Sequence, residues 1–241
     1  MIELVSVNKS YNGTVKAVDD LTLVVPEGQI IGFLGPNGAG KTTTIKIIAG
    51  VLNADSGSIT INGIDIKERP LDAKRQFGYV PDNPDMFLRL KGIEYLNFMA
   101  DIYKVPGELR GERIQELSES FEMEAALNDQ IQSYSHGMRQ KIIIMGVLVH
   151  DPSVWILDEP MTGLDPKSSF TLKEMMKSHA AAGKTVFFST HVLEVAEKLC
   201  DKVAIINKGK LLFYGTMDEI REHFRSNESL EEIFLELTEN E

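Results

Sequence analysis

Gly35-Pro36-Asn37-Gly38-Ala39-Gly40-Lys41-Thr42 decides how the rest of the chain is read, because it is a complete G-x-x-x-x-G-K-[ST] loop in a suitable setting. Before it, Ile30, Ile31, Phe33 and Leu34 form a short, wholly apolar run, which predicts a buried parallel strand. After it, Ile45, Ile47, Ile48 and Ala49 predict a helix, with Gly50 as its stop. A strand, glycine-rich loop and helix in this order turn several backbone N–H groups and the positive end of a helix toward one point, which suits a polyphosphate. Glycines let the chain approach closely, Lys41 can reach the β- and γ-phosphates, and the Thr42 hydroxyl can ligate Mg²⁺. The plain alternative is a glycine-rich turn before an ordinary helix.

Composition sets outer bounds. The 241 residues suffice for one large α/β domain or a core with an inserted lobe. With 43% hydrophobic and 25% charged residues the chain is ordinary globular material, and no stretch approaches the roughly 20 apolar residues of a membrane span. Met1 to Val5 lack the basic and long apolar regions of a secretory signal, so the cytoplasm is expected. The single cysteine, Cys200, excludes an internal disulfide and reads as core filler. A net charge of −11 argues against a nucleic-acid partner.

Taken in order, Ile2–Val7 and Leu21–Val25 predict antiparallel strands, with Tyr11 in the turn between them as a ring able to stack on a base or simply to pack. Ser58 to Ile61, Asn62-Gly63 and Ile64 to Ile66 form a hairpin signal. Phe77–Val80 is another short strand, ended by Pro81 before Asp82. From about Asp85 to Val149 the pattern is helical, and within it Ser135-His136-Gly137-Met138 leads into an apolar helix that Ser135 can cap. Val154–Leu157 predicts a second buried strand ending in Asp158-Glu159, two carboxylates costly at that exit unless used. Asp158 can hold Mg²⁺ beside the loop, and Glu159 can orient and deprotonate a water. Asp165 reads as a helix cap. Thr185–Phe188 predicts a third apolar strand, closed by Ser189-Thr190-His191, which sets His191 on the carboxyl edge where ligands of open α/β sheets collect. Val203–Ile206 and Leu211–Tyr214 flank a terminal hairpin turn; capping boxes at Thr216/Glu219 and Ser229/Glu232 and a stripe of Leu230, Ile233, Phe234 and Leu237 predict a helical tail packed on the body.

In this order and over essentially the whole chain, the motifs resemble those of the ATP-binding subunit of an ABC transporter. The resemblance implies a P-loop NTPase core with a mostly parallel sheet (residues 1–83 and 150–215, including an antiparallel β subdomain), an inserted α-helical subdomain (84–149) and a tail (216–241). It implies ATP and Mg²⁺ as cofactors, with Tyr11 as the adenine-stacking ring, Gly35 to Thr42 followed by Thr43 as the phosphate loop, Lys41, Glu159 and His191 as catalytic residues, and Thr42 and Asp158 at the metal. Asp165 falls in the family's dimer-contact turn, and Ser135 and Gly137 fall in its signature turn.

Two departures from the family pattern stand out. Tyr134 to Met138 keep only the serine and the second glycine of the signature, and Asp82 stands where the family has a glutamine, a shorter acid that can approach the metal only through a changed geometry or a water. Both departures, with the closing Ser229 to Phe234, are similar to those of drug, antibiotic or sodium exporters. The partners so implied are transmembrane permease subunits and a second ATP-binding subunit, identical or paralogous, at the cytoplasmic face of the membrane. Met86, Phe87 and Tyr95 lie where the family's membrane-coupling groove begins, or in the lobe's core. A soluble ABC ATPase of iron–sulfur assembly, DNA maintenance or translation is the alternative, and a P-loop kinase is a further one. The chain carries neither the long coiled coils of the chromosome type nor the paired cassettes of the translation type.

Overall fold

In the computed structural model, which describes residues 1–13, 15–223 and 230–239, the apolar run before the loop is a strand with every residue buried. The chain opens with β1 (Ile2–Tyr11) and β2 (Val15–Val25), and this strand follows as β3 (Ile30–Leu34). Then come α1 (Lys41–Ile48), β4 (Ser56–Ile61), β5 (Ile64–Asp65), α2 (Pro70–Lys74) and β6 (Phe77–Val80). A helical stretch holds α3 (Gly92–Ile102), α4 (Gly107–Phe121) and α5 (His136–Leu148). The chain returns to alternation with β7 (Val154–Leu157), α6 (Pro166–Ala181), β8 (Thr185–Thr190) and α7 (Leu193–Leu199). It closes with β9 (Lys202–Asn207), β10 (Lys210–Gly215), α8 (Met217–His223) and α9 (Leu230–Glu239).

Among the described residues the strands form two sheets: an antiparallel four-stranded sheet in the order β2-β1-β4-β5 and a six-stranded sheet in the order β10-β9-β3-β8-β7-β6. In the larger sheet only β10 runs antiparallel to its neighbour. The fold is therefore the expected α/β cassette, and β3 lies centrally with β8 on one side and β9 on the other.

The period of two along the central strands divides the interior. Ile31, Phe33, Ile156 and Phe187 face α1 and the small sheet, whereas Leu157, Val186 and Phe188 face the opposite way, onto α3, α5 and α6. Tyr95, Leu96 and Ile142 to Ile144 join that second core, so the inserted helices share one apolar interior with a face of the sheet. Burial of side chains of this size stabilises by about 1.5–3 kcal/mol each. A third cluster joins Leu34 and Ala196 to Leu230 and Ile233, so the tail packs on the body as its stripe predicts. The cap expected at Ser229 lies outside the described residues.

Some sequence expectations shift at the edges. Both N-terminal strands are longer than their apolar runs, and Tyr11 is the last residue of β1 rather than a turn residue. Tyr95 is a core residue, 2% exposed, while Met86 and Phe87 above it stay exposed. Phe87 keeps its ring 5.1 Å from Tyr95 and 5.7 Å from Phe98.

Candidate active site

Three adjacent parallel strands deliver the site. β3 runs into the glycine-rich loop, β7 into Asp158-Glu159 and β8 into His191; the registers Leu34↔Thr190 and Leu157↔Phe188 bring all three exits to one edge. The loop needs glycine where it crosses β2: at Gly40 φ is 108°, and a Cβ there would lie 2.2 Å from the Ala17 carbonyl oxygen. Ala39 N–H closes on Pro36 O at 3.1 Å, and Gly209, in the β9–β10 turn, donates to Ala39 O at 2.9 Å. That brace was not legible in the sequence.

Lys41 is buried, and its ammonium donates to the Gly35 carbonyl at 2.6 Å and the Pro36 carbonyl at 3.2 Å. Burial pulls its pKa below the usual lysine value, while the carboxylates of Glu159 and Asp158 oppose the change. Pro36, Asn37 and Gly38 form the arch of the loop, and Thr42 and Thr43 open α1 behind Lys41. Tyr11 reaches across to this helix start, with its hydroxyl 3.5 Å from Thr43 Oγ1. Tyr11 as a whole is 44% exposed.

Asp158 is fully buried at the exit of β7. Ser189 Oγ donates to Asp158 Oδ1 at 2.6 Å, and Asp158 Oδ2 is enclosed without a hydrogen-bond partner. Burial pushes this carboxyl's pKa up, the Ser189 and Thr42 hydroxyls favour the charged form, and the nearby Asp82 and Glu159 carboxylates disfavour it. A buried, half-satisfied carboxylate beside a threonine hydroxyl is a fitting donor set for a hard divalent cation. No group of three or more His, Cys, Asp or Glu side chains with metal-site geometry occurs among the described residues, so a cation here would draw its remaining ligands from hydroxyl, water and phosphate oxygens. Asp82 lies at the next exit, after β6, exposed and 4.0 Å from the Lys46 ammonium.

Glu159 has a left-handed backbone, φ 49°, which costs a non-glycine residue about 1–3 kcal/mol and persists only where its surroundings fix it. Ser189 Oγ accepts its N–H at 2.9 Å, and Thr162 N–H reaches its carbonyl at 3.1 Å. The side chain points to His191, with Nδ1 2.8 Å from Glu159 Oε2. Ser189 thus serves Asp158 and Glu159 together. A polar residue at the end of an otherwise apolar strand was its one sequence signal.

The structure brings Lys41, Thr42, Asp158, Glu159 and His191 to one edge, but it sets Ser135 and Gly137 elsewhere. Ser135 caps α5 by accepting Met138 N–H at 3.3 Å. A Cβ on Gly137 would lie 2.5 Å from Gly163 O, so the turn that opens α5 packs on the turn that follows Glu159. None of the described hydrogen bonds of Ser135 or Gly137 reaches residues 35 to 43. Asp165 caps α6 by accepting Ser168 N–H at 2.9 Å, and Lys141 at 2.8 Å helps hold its carboxyl well below the usual range.

Comparison with known proteins gives a consistent answer. Residues 18–162 match the family model described as ABC transporter. An uncharacterized ABC transporter ATP-binding protein of Nostoc is 36% identical over 87% of this chain, which spans 62% of that protein's length. The ABC transporter ATP-binding protein NatA of Bacillus subtilis is 36% identical over 92% of this chain and 90% of its own. Among solved structures, an ATP-binding subunit of an ABC transporter superposes with a TM-score of 0.94 at 34% identity, covering 98% of this chain and 99% of its own. The dimeric post-hydrolysis state of the ATP-binding cassette MJ0796, bound to ADP and Pi, gives 0.81 at 25% identity, covering 90% and 99%.

Proposed function

The chain belongs to the ABC transporter family of ATP-binding proteins, whose cassettes are ATPases, and from that premise we propose that it dimerises around ATP to drive a separate transmembrane permease, as an exporter. The observation that carries the reading is the convergence of Lys41, Asp158, Glu159 and His191 at the ends of β3, β7 and β8. The soluble, permease-free alternative has no feature of the fold in its favour.

In this reading the backbone N–H groups of Gly35 to Thr42 and the start of α1 cradle the phosphates, Lys41 exchanges its two carbonyl partners for the β- and γ-phosphate oxygens, and Tyr11 stacks on the adenine. Thr42 and Asp158 would hold Mg²⁺, with Asp82, whose charge acts on Asp158, reaching the ion through a changed geometry or a water. When bound, the ion supplies Lewis-acid neutralisation of phosphate charge. Glu159 orients the attacking water and takes its proton, while His191, held against Glu159 before substrate arrives, turns to the γ-phosphate as negative charge grows there. Ser135 and Gly137 sit away from their own phosphate loop, which suits a contact with nucleotide held by a second subunit.

The permease surface is proposed around Met86, Phe87 and Phe98, three exposed apolar residues beside the β6 exit. The proposed seat is the cytoplasmic face of the membrane, through that partner; no helix among the described residues is long and apolar enough to cross a membrane. The altered signature and the tail support export. Residues 84–149 are proposed as the inserted subdomain, 1–83 and 150–215 as the ATP-binding core, and 216–241 as the tail.

The test is a pull-down from native membranes with the Glu159→Gln protein, ATP and Mg²⁺. Recovery of one multi-span chain is the expected result. A soluble partner, with no membrane chain under conditions that preserve other membrane complexes, would replace the proposal with a non-transport ATPase.

A further inference from the structure

α5 grips the turn after Glu159 at three points. Gln140 Nε2 donates to Pro160 O at 3.1 Å, Lys141 Nζ lies 2.8 Å from Asp165 Oδ2, and Gly137 packs on the Gly163 backbone. The first contact is different in kind. Gln140 is 1% exposed in a helix whose buried residues are, apart from it and Lys141, apolar or glycine, so its amide is an expensive group to place there without a purpose. Pro160 has no N–H, so its carbonyl is the only backbone hydrogen-bonding group by which that residue can be held. Glu159, immediately before it, is the residue in the left-handed conformation.

We infer that Gln140 is a positioning residue for Glu159, an inference that rests on reading Glu159 as the group that handles the attacking water. Ser189 Oγ fixes the strained residue on its amino side, through Glu159 N–H, and Gln140 fixes it on its carboxyl side, through Pro160 O. Without the second hold the peptide after Pro160 can rotate, the Glu159 backbone can relax from φ 49° with only Thr162 N–H left on its carbonyl, and the carboxylate leaves its direction toward His191. Because α5 also begins at Ser135 and Gly137, the same helix ties the signature turn of a chain to that chain's own Glu159. A shift of the signature turn therefore reaches Glu159 through Gln140.

Steady-state hydrolysis and ATP affinity are to be measured on the full chain with Gln140→Met, which keeps length and loses the donor, and with Gln140→Glu, which keeps shape and replaces donor by acceptor. Expected is a kcat lower by about tenfold with KM within about twofold of the unsubstituted chain. Gln140→Lys, which again offers a donor to Pro160 O, is expected to recover most of the rate. In single-turnover measurements on a Glu159→Gln background, Gln140→Met adds no further loss, because the group it positions is already gone. A raised KM with kcat retained, a full additional loss on that background, or a Lys variant as slow as the Met variant would each overturn the inference. Undiminished turnover in Glu159→Gln alone would remove the Glu159 reading itself, and so is separable from failure of the Gln140 assignment.

Discussion

The two ends of the larger sheet bury titratable side chains for opposite purposes. At the carboxyl end Lys41, Asp158 and Glu159 are held by hydrogen bonds that leave capacity for another ligand: one oxygen of Asp158 is unpartnered, and Lys41 rests on two carbonyls. At the amino end His150 stacks on Tyr103 with centroids 3.5 Å apart, and His179 stacks on Trp155 at 4.1 Å. Those imidazoles act as flat packing surfaces. Burial lowers both pKa values to about 4; Phe77 O and Asp151 oppose the shift at His150 while Arg113 adds to it, and Lys184 adds to the shift at His179 while Asp151 and Ser153 O oppose it. The same strands therefore keep charge where a phosphate can meet it and neutralise what lies at the other end.

The contrast predicts that substitutions at the carboxyl end change turnover far more than stability. Glu159→Gln is expected to retain ATP binding and slow steady-state hydrolysis by about 10²–10⁴; unchanged hydrolysis would break the comparison at its centre. Lys41→Ala should weaken ATP affinity by roughly 10–100-fold, since a buried cation and its charge-assisted bonds are lost, and equilibrium nucleotide binding is the check. Ser189→Ala unpairs Glu159 N–H and Asp158 Oδ1 together and is expected to lower unfolding free energy by about 1–3 kcal/mol as well as slow turnover, read by denaturant melts beside kinetics.

At the amino end the expected effect is on stability in acid. Both histidines are neutral in the fold and protonate more readily when unfolded, so their stabilisation is complete above the unfolded pKa of about 6.5 and is lost as pH falls from there toward 4. The loss is about 2 kcal/mol per ring by pH 5. His179→Gln should flatten the fall in unfolding free energy between pH 6.5 and 5, and a slope equal to that of the unsubstituted chain would show that the ring does not titrate as its burial requires. The smallest effect is expected at Asp82, exposed and only loosely paired with Lys46: Asp82→Ala should slow Mg²⁺-dependent hydrolysis by no more than about threefold. A loss near that of Glu159→Gln would move Asp82 into the centre of the site.

Much of this was legible because the signals are local. The loop from Gly35 to Thr42, its apolar strand and its helix occupy one continuous stretch, and backbone chemistry there dictates shape. Asp158-Glu159 and His191 were readable as polar exits from apolar runs, and Ser135 and Asp165 as caps. The double role of Ser189, the grip of Gln140 on Pro160 and the brace from Gly209 to Ala39 join residues 20 to 170 positions apart, and nothing in a local pattern marks such pairs. Tyr95 looked the same in sequence as its exposed neighbours Met86 and Phe87, and only the packing of α3 on α5 put it inside.

The sequence by itself determined the element types, the phosphate loop and the identity of the charged groups, because propensity, periodicity and capping act within a few residues along the chain. Tertiary structure alone decided which of those groups meet, which carboxylate oxygen stays free and which backbone is held in a left-handed turn. Those depend on strand order and on contacts between distant elements, where hydrogen bonding and burial are settled by three-dimensional neighbours rather than by neighbours in the chain.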